Sequence, residues 1–287
     1  MRYSLVSSAG KGRINEDLLA LHEGEGVTDI LVMDGATPLT PRRWIGAGAS
    51  DPAWFVRRFA RDLGALLERG GSQEALVHAA LDATRAAWRT LADGDPPPYA
   101  WPVATLAWVR VRHGHGGAPD TLELYCLGDS KILLADAGGA VRDLDPFDNP
   151  VEREVQAAVA ALVAEGVSDA AARWERLLPM LKERRHAQNT AARPQVMCLE
   201  PRGAFQARTA CLEAPPGALL LAMSDGFYRL VDTYRLYDDT SLAAACRARG
   251  LDALLDELRA YEAGAAAAAG ITAKRADDAS ALAWQLS

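Results

Sequence analysis

Leu31-Val32-Met33-Asp34-Gly35 ends an apolar run on a carboxylate followed at once by glycine. The arrangement recurs at Leu124-Tyr-Cys-Leu-Gly-Asp129-Ser130 and at Leu219-Leu-Leu-Ala-Met-Ser-Asp225-Gly226. Two acidic pairs lie at strand borders as well: Glu16-Asp17 before Leu18–His22, and Asp277-Asp278 before Ala281–Leu286. Taken singly, Asp-Gly after a strand is a turn signal. Taken together, carboxylates at the ends of several strands in one sheet system can converge on one rim. Such a cluster repels itself unless cations lie between its members. Hard carboxylate oxygens select Mg²⁺ or Mn²⁺ over zinc, and glycine after Asp34 lets a backbone carbonyl approach an ion closely.

The rest of the chain reads outward from these runs. Alternation predicts strands at Tyr3–Ser7, Leu18–His22 and Ile30–Met33. A loop, Ala36–Ser50, leads to two helices. Pro52–Arg69 puts Phe55, Phe59, Leu63, Leu66 and Leu67 on one face, and Ser72–Ala92 has Ser72 as its N-cap. Asp95-Pro-Pro-Pro98 stops the second helix. Val103–Arg112 and Leu122–Leu127 form a hairpin across a Gly/His loop, and Lys131–Ala135 follows. Glu152–Gly166 and Asp169–His186 form a helical excursion. Phe205–Leu212 and Ala218–Met223 return to strand, Leu242–Ala269 is helical, and Ala281–Leu286 is a last strand. Mixed strands with helices in pairs indicate α+β layers. No repeat or long linker divides the chain, so residues 1–287 read as one domain.

Five segments in this order resemble the metal-dependent protein phosphatases of type 2C. They are Gly12-Arg13-Ile14-Asn15-Glu16-Asp17, Val32-Met33-Asp34-Gly35, Gly128-Asp129-Ser130-Lys131, Ser224-Asp225-Gly226-Phe227 and Asp277-Asp278-Ala279-Ser280. The resemblance implies two antiparallel sheets packed as a β-sandwich and flanked by helix pairs, with metals at one end. It makes residues of about 150–192 a flap. It also implies hydrolysis of phosphoserine and phosphothreonine in proteins by a binuclear Mn²⁺ or Mg²⁺ centre, with a metal-bridging water as nucleophile. Asp34 would then bridge both ions. The Gly35 carbonyl with Glu16 and Asp17 would serve one, Asp225 and Asp277 the other, and Asp129 with Asp225 a weaker third. Arg13 would grip the substrate phosphate through its guanidinium fork.

Three departures from the family pattern stand out. Arg13 is closer to Glu16 than is usual, so Lys11 or the metals alone are alternatives for holding phosphate. Ala36-Thr37-Pro38 replaces the usual continuation, so no histidine follows Gly35 as a general acid. Asp278 stands where asparagine is usual. These departures keep two other readings open: a phosphatase-like domain that binds a phosphorylated partner without turnover, and a phosphoesterase acting on small molecules.

Composition narrows the classes. Lys plus Arg is 31 against 38 for Asp plus Glu, a formal charge of −7, and no basic block supports nucleic-acid binding. Residues 1–17 lack the apolar core of a secretory leader, and no apolar run approaches membrane-spanning length. Cys126, Cys198, Cys211 and Cys246 form no CxxC pair and read as reduced thiols. The expectation is a cytoplasmic monomer whose partners are a phosphorylated protein and an opposing Ser/Thr kinase. Arg42-Arg43-Trp44 and Arg57-Arg58 with Arg61 read as solvated faces.

Overall fold

The computed structural model describes residues 3–10, 14–46, 48–264 and 276–287. Arg13 and Lys11, both phosphate candidates, lie outside them, as does the Ala265–Ala269 end of the helix expected at Leu242–Ala269.

Two five-stranded antiparallel sheets stack face to face. Sheet one runs β1 (Tyr3–Ser8), β12 (Ala279–Gln285), β11 (Leu219–Met223), β7 (Lys131–Ala135), β8 (Val141–Asp143). Sheet two runs β10 (Arg208–Glu213), β6 (Thr121–Leu127), β5 (Leu106–Arg112), β3 (Val27–Asp34), β2 (Asp17–Gly24). Helices cover both outer faces, giving the expected α+β sandwich. Helices α1 (Asp51–Leu67) and α2 (Gln73–Leu91) lie on sheet two; α6 (Asp239–Ala263) lies on sheet one, preceded by the short α5 (Asp225–Tyr228).

The two-residue period of a strand divides these layers. In β3, Ile30 and Val32 join the core between the sheets, whereas Leu31 and Met33 pack under α1 and α2. In β11, Leu220 and Ala222 face the other sheet while Leu219 and Leu221 face α6. Strands buried on both faces read as continuous apolar runs, and the carboxylate that ends each run marks where the core stops.

The helices begin where the sequence signals. Ser50 and Ser72 accept the backbone N–H of Ala53 and Ala75, capping α1 and α2. On α1, Phe55, Phe59 and Leu63 are fully buried. Helices α3 (Pro150–Ala164) and α4 (Ala170–Thr190) form the excursion, with a small core of Val159, Leu162 and Leu177. Asn189 on α4 donates to the carbonyls of Pro98 (2.8 Å) and Trp101 (3.1 Å), fastening the helix to the body.

Boundaries differ from the sequence expectation at several elements, and at three of them the reason is visible. Val103–Arg112 is two strands: β4 (Val103–Ala104) pairs with β9 (Met197–Cys198), and only β5 enters the large sheet. Thr105 breaks the run because its N–H donates to the Asp34 carbonyl (2.9 Å) while its hydroxyl receives the Asp34 N–H (3.2 Å). Strand β10 begins at Arg208, not Phe205, because Phe205 is buried in the α1–α2 core beside His78, ring centroids 5.4 Å apart. The α6 region starts earlier, at a reciprocal Asp238–Ser241 cap, and breaks at Gly250, whose φ is +81°.

The basic spots are solvated as expected: Arg42, Arg43, Arg57 and Arg61 are exposed, and only Trp44 among them is buried. Arg42 lies over Trp44 at 4.0 Å and pairs with Asp93, and Arg57 donates to the Asn15 carbonyl at 2.9 Å.

Candidate metal centre

Strand register brings the first two acids together. Asp17 begins β2 and Asp34 ends β3, and the two are directly paired across the antiparallel ladder. Like charges in that relation destabilise each other. Burial pushes the Asp34 carboxyl well above the ordinary carboxylate range, and the charges of Asp225, Asp17 and Asp277 push it the same way. Asp17 is pushed up to about 7, first by burial; hydrogen bonds from Ser224 and Ser280 oppose this, and Asp225 and Asp278 add to it. Asp129 is pushed up to about 6 by burial and by Asp225, against a hydrogen bond from Asn149. Acids from all three Asp-Gly or Gly-Asp turns and from both border pairs therefore act on one another at one end of the sandwich.

Glycine makes the approach possible at two of these turns. A Cβ on Gly226 would lie 1.8 Å from the Asp278 carbonyl oxygen, and one on Gly35 would lie 2.8 Å from the Glu16 carbonyl oxygen. The Gly35 N–H donates to that same Glu16 carbonyl at 3.1 Å. Here the glycines permit contact between distant segments, beyond any role in turning the chain.

Several residues that motif reading did not assign hold the acids in place. The Ser224 hydroxyl donates to Asp17 Oδ2 at 2.7 Å and accepts the Ser280 N–H at 3.0 Å. Asp278 accepts the N–H of Gly10 (2.8 Å) and of Glu16 (2.6 Å), so it pins the strand-border loop. Arg229 pairs with Asp277 at 2.8 Å. Burial works against the Arg229 charge, but Asp277 and Asp225 outweigh it and its pKa rises. Asn149 Nδ2 donates to Asp129 Oδ2 at 2.7 Å while its Oδ1 caps α3, linking the excursion to the acidic end. Burial and the Asp225 charge also raise Glu152 and Asp232, two acids outside the five motifs.

Among the described residues, no three His, Cys, Asp or Glu side chains form a ready-made cage for one ion. Two buried carboxylate oxygens, Asp17 Oδ1 and Asp225 Oδ1, have no hydrogen-bond partner. Unpaired buried oxygens of this kind suit a hard divalent cation.

The raised carboxylates carry a pH signature. The unfolded chain releases these protons near pH 4, the folded chain only near pH 6 to 7. The folded state thus binds more protons in between, and its stability falls as pH rises through that window. For Asp17 alone the loss is bounded by about 4 kcal/mol. In EDTA, calorimetry should give a lower Tm at about pH 8 than at about pH 6, and added Mn²⁺ should remove the difference. A Tm that rises over that interval in EDTA would contradict the electrostatics described.

A family model described as Protein phosphatase 2C matches residues 6–260. The S. agalactiae serine/threonine phosphatase structure is 16% identical, covers 98% of each chain and has a TM-score of 0.56. The catalytic domain of the serine/threonine protein phosphatase PstP, with two manganese ions, is 17% identical over 99% of this chain and 97% of its own, TM-score 0.53. PppA, a regulatory component of the Pseudomonas aeruginosa T6SS, is 17% identical over 100% and 97%, TM-score 0.53. Likeness at that identity is likeness of fold. A search of curated proteins gave no match.

Proposed function

Because the chain belongs to the protein phosphatase 2C family, and is by that membership a metal-dependent protein serine/threonine phosphatase, we propose that it hydrolyses phosphoserine and phosphothreonine monoesters with two Mn²⁺ or Mg²⁺ ions held by its strand-end acids. The observation that carries this reading is the convergence of Asp17, Asp34, Asp225 and Asp277, each shifting or feeling another's charge. The unpartnered Asp17 and Asp225 oxygens supply the donor type such ions take. The PstP structure, which contains two manganese ions, supports the number.

Asp34, Asp17, Glu16 and the Gly35 carbonyl would hold one ion, and Asp34 with Asp225 and Asp277 the other. Asp129 and Asp225 would offer a weaker third site. When bound, the ions supply an activated water and neutralise the phosphoryl charge. Everything else falls to the chain. Ser224 orients Asp17, Asp278 holds the Glu16 backbone, and Arg229 fixes Asp277 through Oδ2. Asp34 cannot swing away, because both its backbone groups are bonded to Thr105. With alanine after Gly35, protonation of the leaving serine or threonine oxygen would fall to water or to another residue of the site. Residues 1–287 would act as one domain with α3 and α4 as its flap. The substrate would be a phosphoprotein, which requires a Ser/Thr kinase to make it. Among the described residues no helix is long and apolar enough to cross a membrane.

The test is hydrolysis of a phosphothreonine peptide and of para-nitrophenyl phosphate with Mn²⁺, then with EDTA. Activity should appear with Mn²⁺ and vanish with EDTA. Undiminished activity in EDTA would overturn the proposal, and calorimetric Mn²⁺ binding with no turnover would replace it with a phosphoprotein-binding role.

A further inference from the structure

Arg185 lies on α4, far along the chain from the acidic motifs, yet its guanidinium reaches two segments that build the site. Its Nη2 donates to the Thr37 carbonyl at a long 3.3 Å, three residues beyond Asp34. The charge of Glu16, the neighbour of Asp17, acts on it. Among the described residues it has no other hydrogen bond and no ion-pair partner within salt-bridge distance. This contrasts with Arg184 beside it, which pairs with Glu154.

Arg185 is half-buried. Burial lowers its pKa to about 10, with Glu16 opposing the shift. A cation desolvated to that degree gains when an anion joins it. The helix that carries it is also held in position. Lys182, Arg185 and Asn189 share one face of α4 by helical spacing. Lys182 lies 5.1 Å over the Tyr99 ring, and Asn189 is bonded to the Pro98 and Trp101 carbonyls.

We propose that Arg185 grips the phosphoryl group of the substrate from the flap side, completing a site whose metals are held by the strand-end acids. This deepens the phosphatase reading and rests on it. A guanidinium with most of its fork unused offers paired N–H donors to two phosphoryl oxygens. The Thr37 contact holds it beside the loop that leaves Asp34 until substrate arrives. Fixing α4 through Asn189 sets in advance where the base of this side chain stands relative to the Asp34 loop.

The experiment compares wild type with Arg185→Ala, Arg185→Lys and Arg184→Ala. Inorganic phosphate binding to the Mg²⁺-loaded protein is measured by calorimetry, Mg²⁺ binding separately, and KM and kcat on a phosphothreonine peptide. Arg185→Ala should weaken phosphate binding by about 10- to 100-fold, the scale of a lost charge-assisted hydrogen bond. It should raise KM more than it lowers kcat and leave Mg²⁺ affinity unchanged. Arg185→Lys should recover part of the loss, and Arg184→Ala should resemble wild type. Unchanged phosphate affinity in Arg185→Ala would overturn the proposal. So would a loss of Mg²⁺ affinity and Tm alongside it, because that marks a structural role. If wild type does not turn over, hydrolysis falls as the function, and the phosphate titration still decides whether Arg185 binds the anion.

Discussion

Asp34→Asn should abolish hydrolysis and at the same time make the metal-free protein harder to melt. The two effects share one cause. Asp34 is the half-buried acid on which Asp225, Asp17 and Asp277 all act, and desolvation itself disfavours its charge. Asparagine keeps the shape and removes the charge, so repulsion within the cluster falls and the metal-free Tm should rise by a few degrees. The same removal takes away the oxygen expected to serve both ions. A group acting chiefly in the transition state is worth at least about a thousand-fold in kcat. Differential scanning calorimetry in EDTA and phosphopeptide kinetics in Mn²⁺ check the two halves. An active variant would remove Asp34 from the chemistry, and a lower metal-free Tm would show that its charge is compensated in the folded state.

Gly226→Ala should be severely damaging for the addition of one methyl group. The added carbon would sit 1.8 Å from the Asp278 carbonyl oxygen and 3.4 Å from the Asp277 side chain. Backbone cannot swing away as a flexible side chain would, so α5 and the segment before β12 must separate. That movement would loosen the Ser224 N–H bond to the Ser280 carbonyl (2.9 Å) and the Arg229–Asp277 pair. Overpacking at a rigid contact costs about 3 kcal/mol or more, and Asp225 moves away from Asp277. The expected result is a lower Tm together with weaker Mn²⁺ binding. Gly226→Ala with wild-type Tm and Mn²⁺ affinity would mean that these two segments do not need to touch. Gly139, with open space around its Cβ position, is the natural comparison for steric bulk, although its φ of +92° adds strain of its own.

The three turns at Asp34, Asp129 and Asp225 were legible because each is local, an apolar run and then Asp beside Gly or Ser, and the two border pairs were legible as acids directly before a strand. Apolar runs also placed β3, β5, β6 and β11, since a strand covered on both faces carries a continuous apolar stretch. What remained unread was long-range. Asp278 looks like an added charge in the sequence, whereas in the fold it receives two backbone N–H groups and serves as a pin. Arg229 sits in an unremarkable Phe-Tyr-Arg-Leu stretch, and only the packing of α5 on β12 aims it at Asp277. Arg185 lies 148 positions from Thr37, and no pattern in either segment announces the other. The short β8 and β9 could not be seen by periodicity at all, having three and two residues. The glycines of Asp34-Gly35 and Asp225-Gly226 were legible as turn residues, but the contact each one permits became visible only with its partner segment in place.

Crystals grown with Mn²⁺ and measured at the manganese absorption edge test the central claim most directly. Two anomalous peaks about 3.5–4 Å apart, both within ligand distance of Asp34, are expected. Peaks found away from Asp34, or a fully loaded crystal with no ion beside it, would contradict the account.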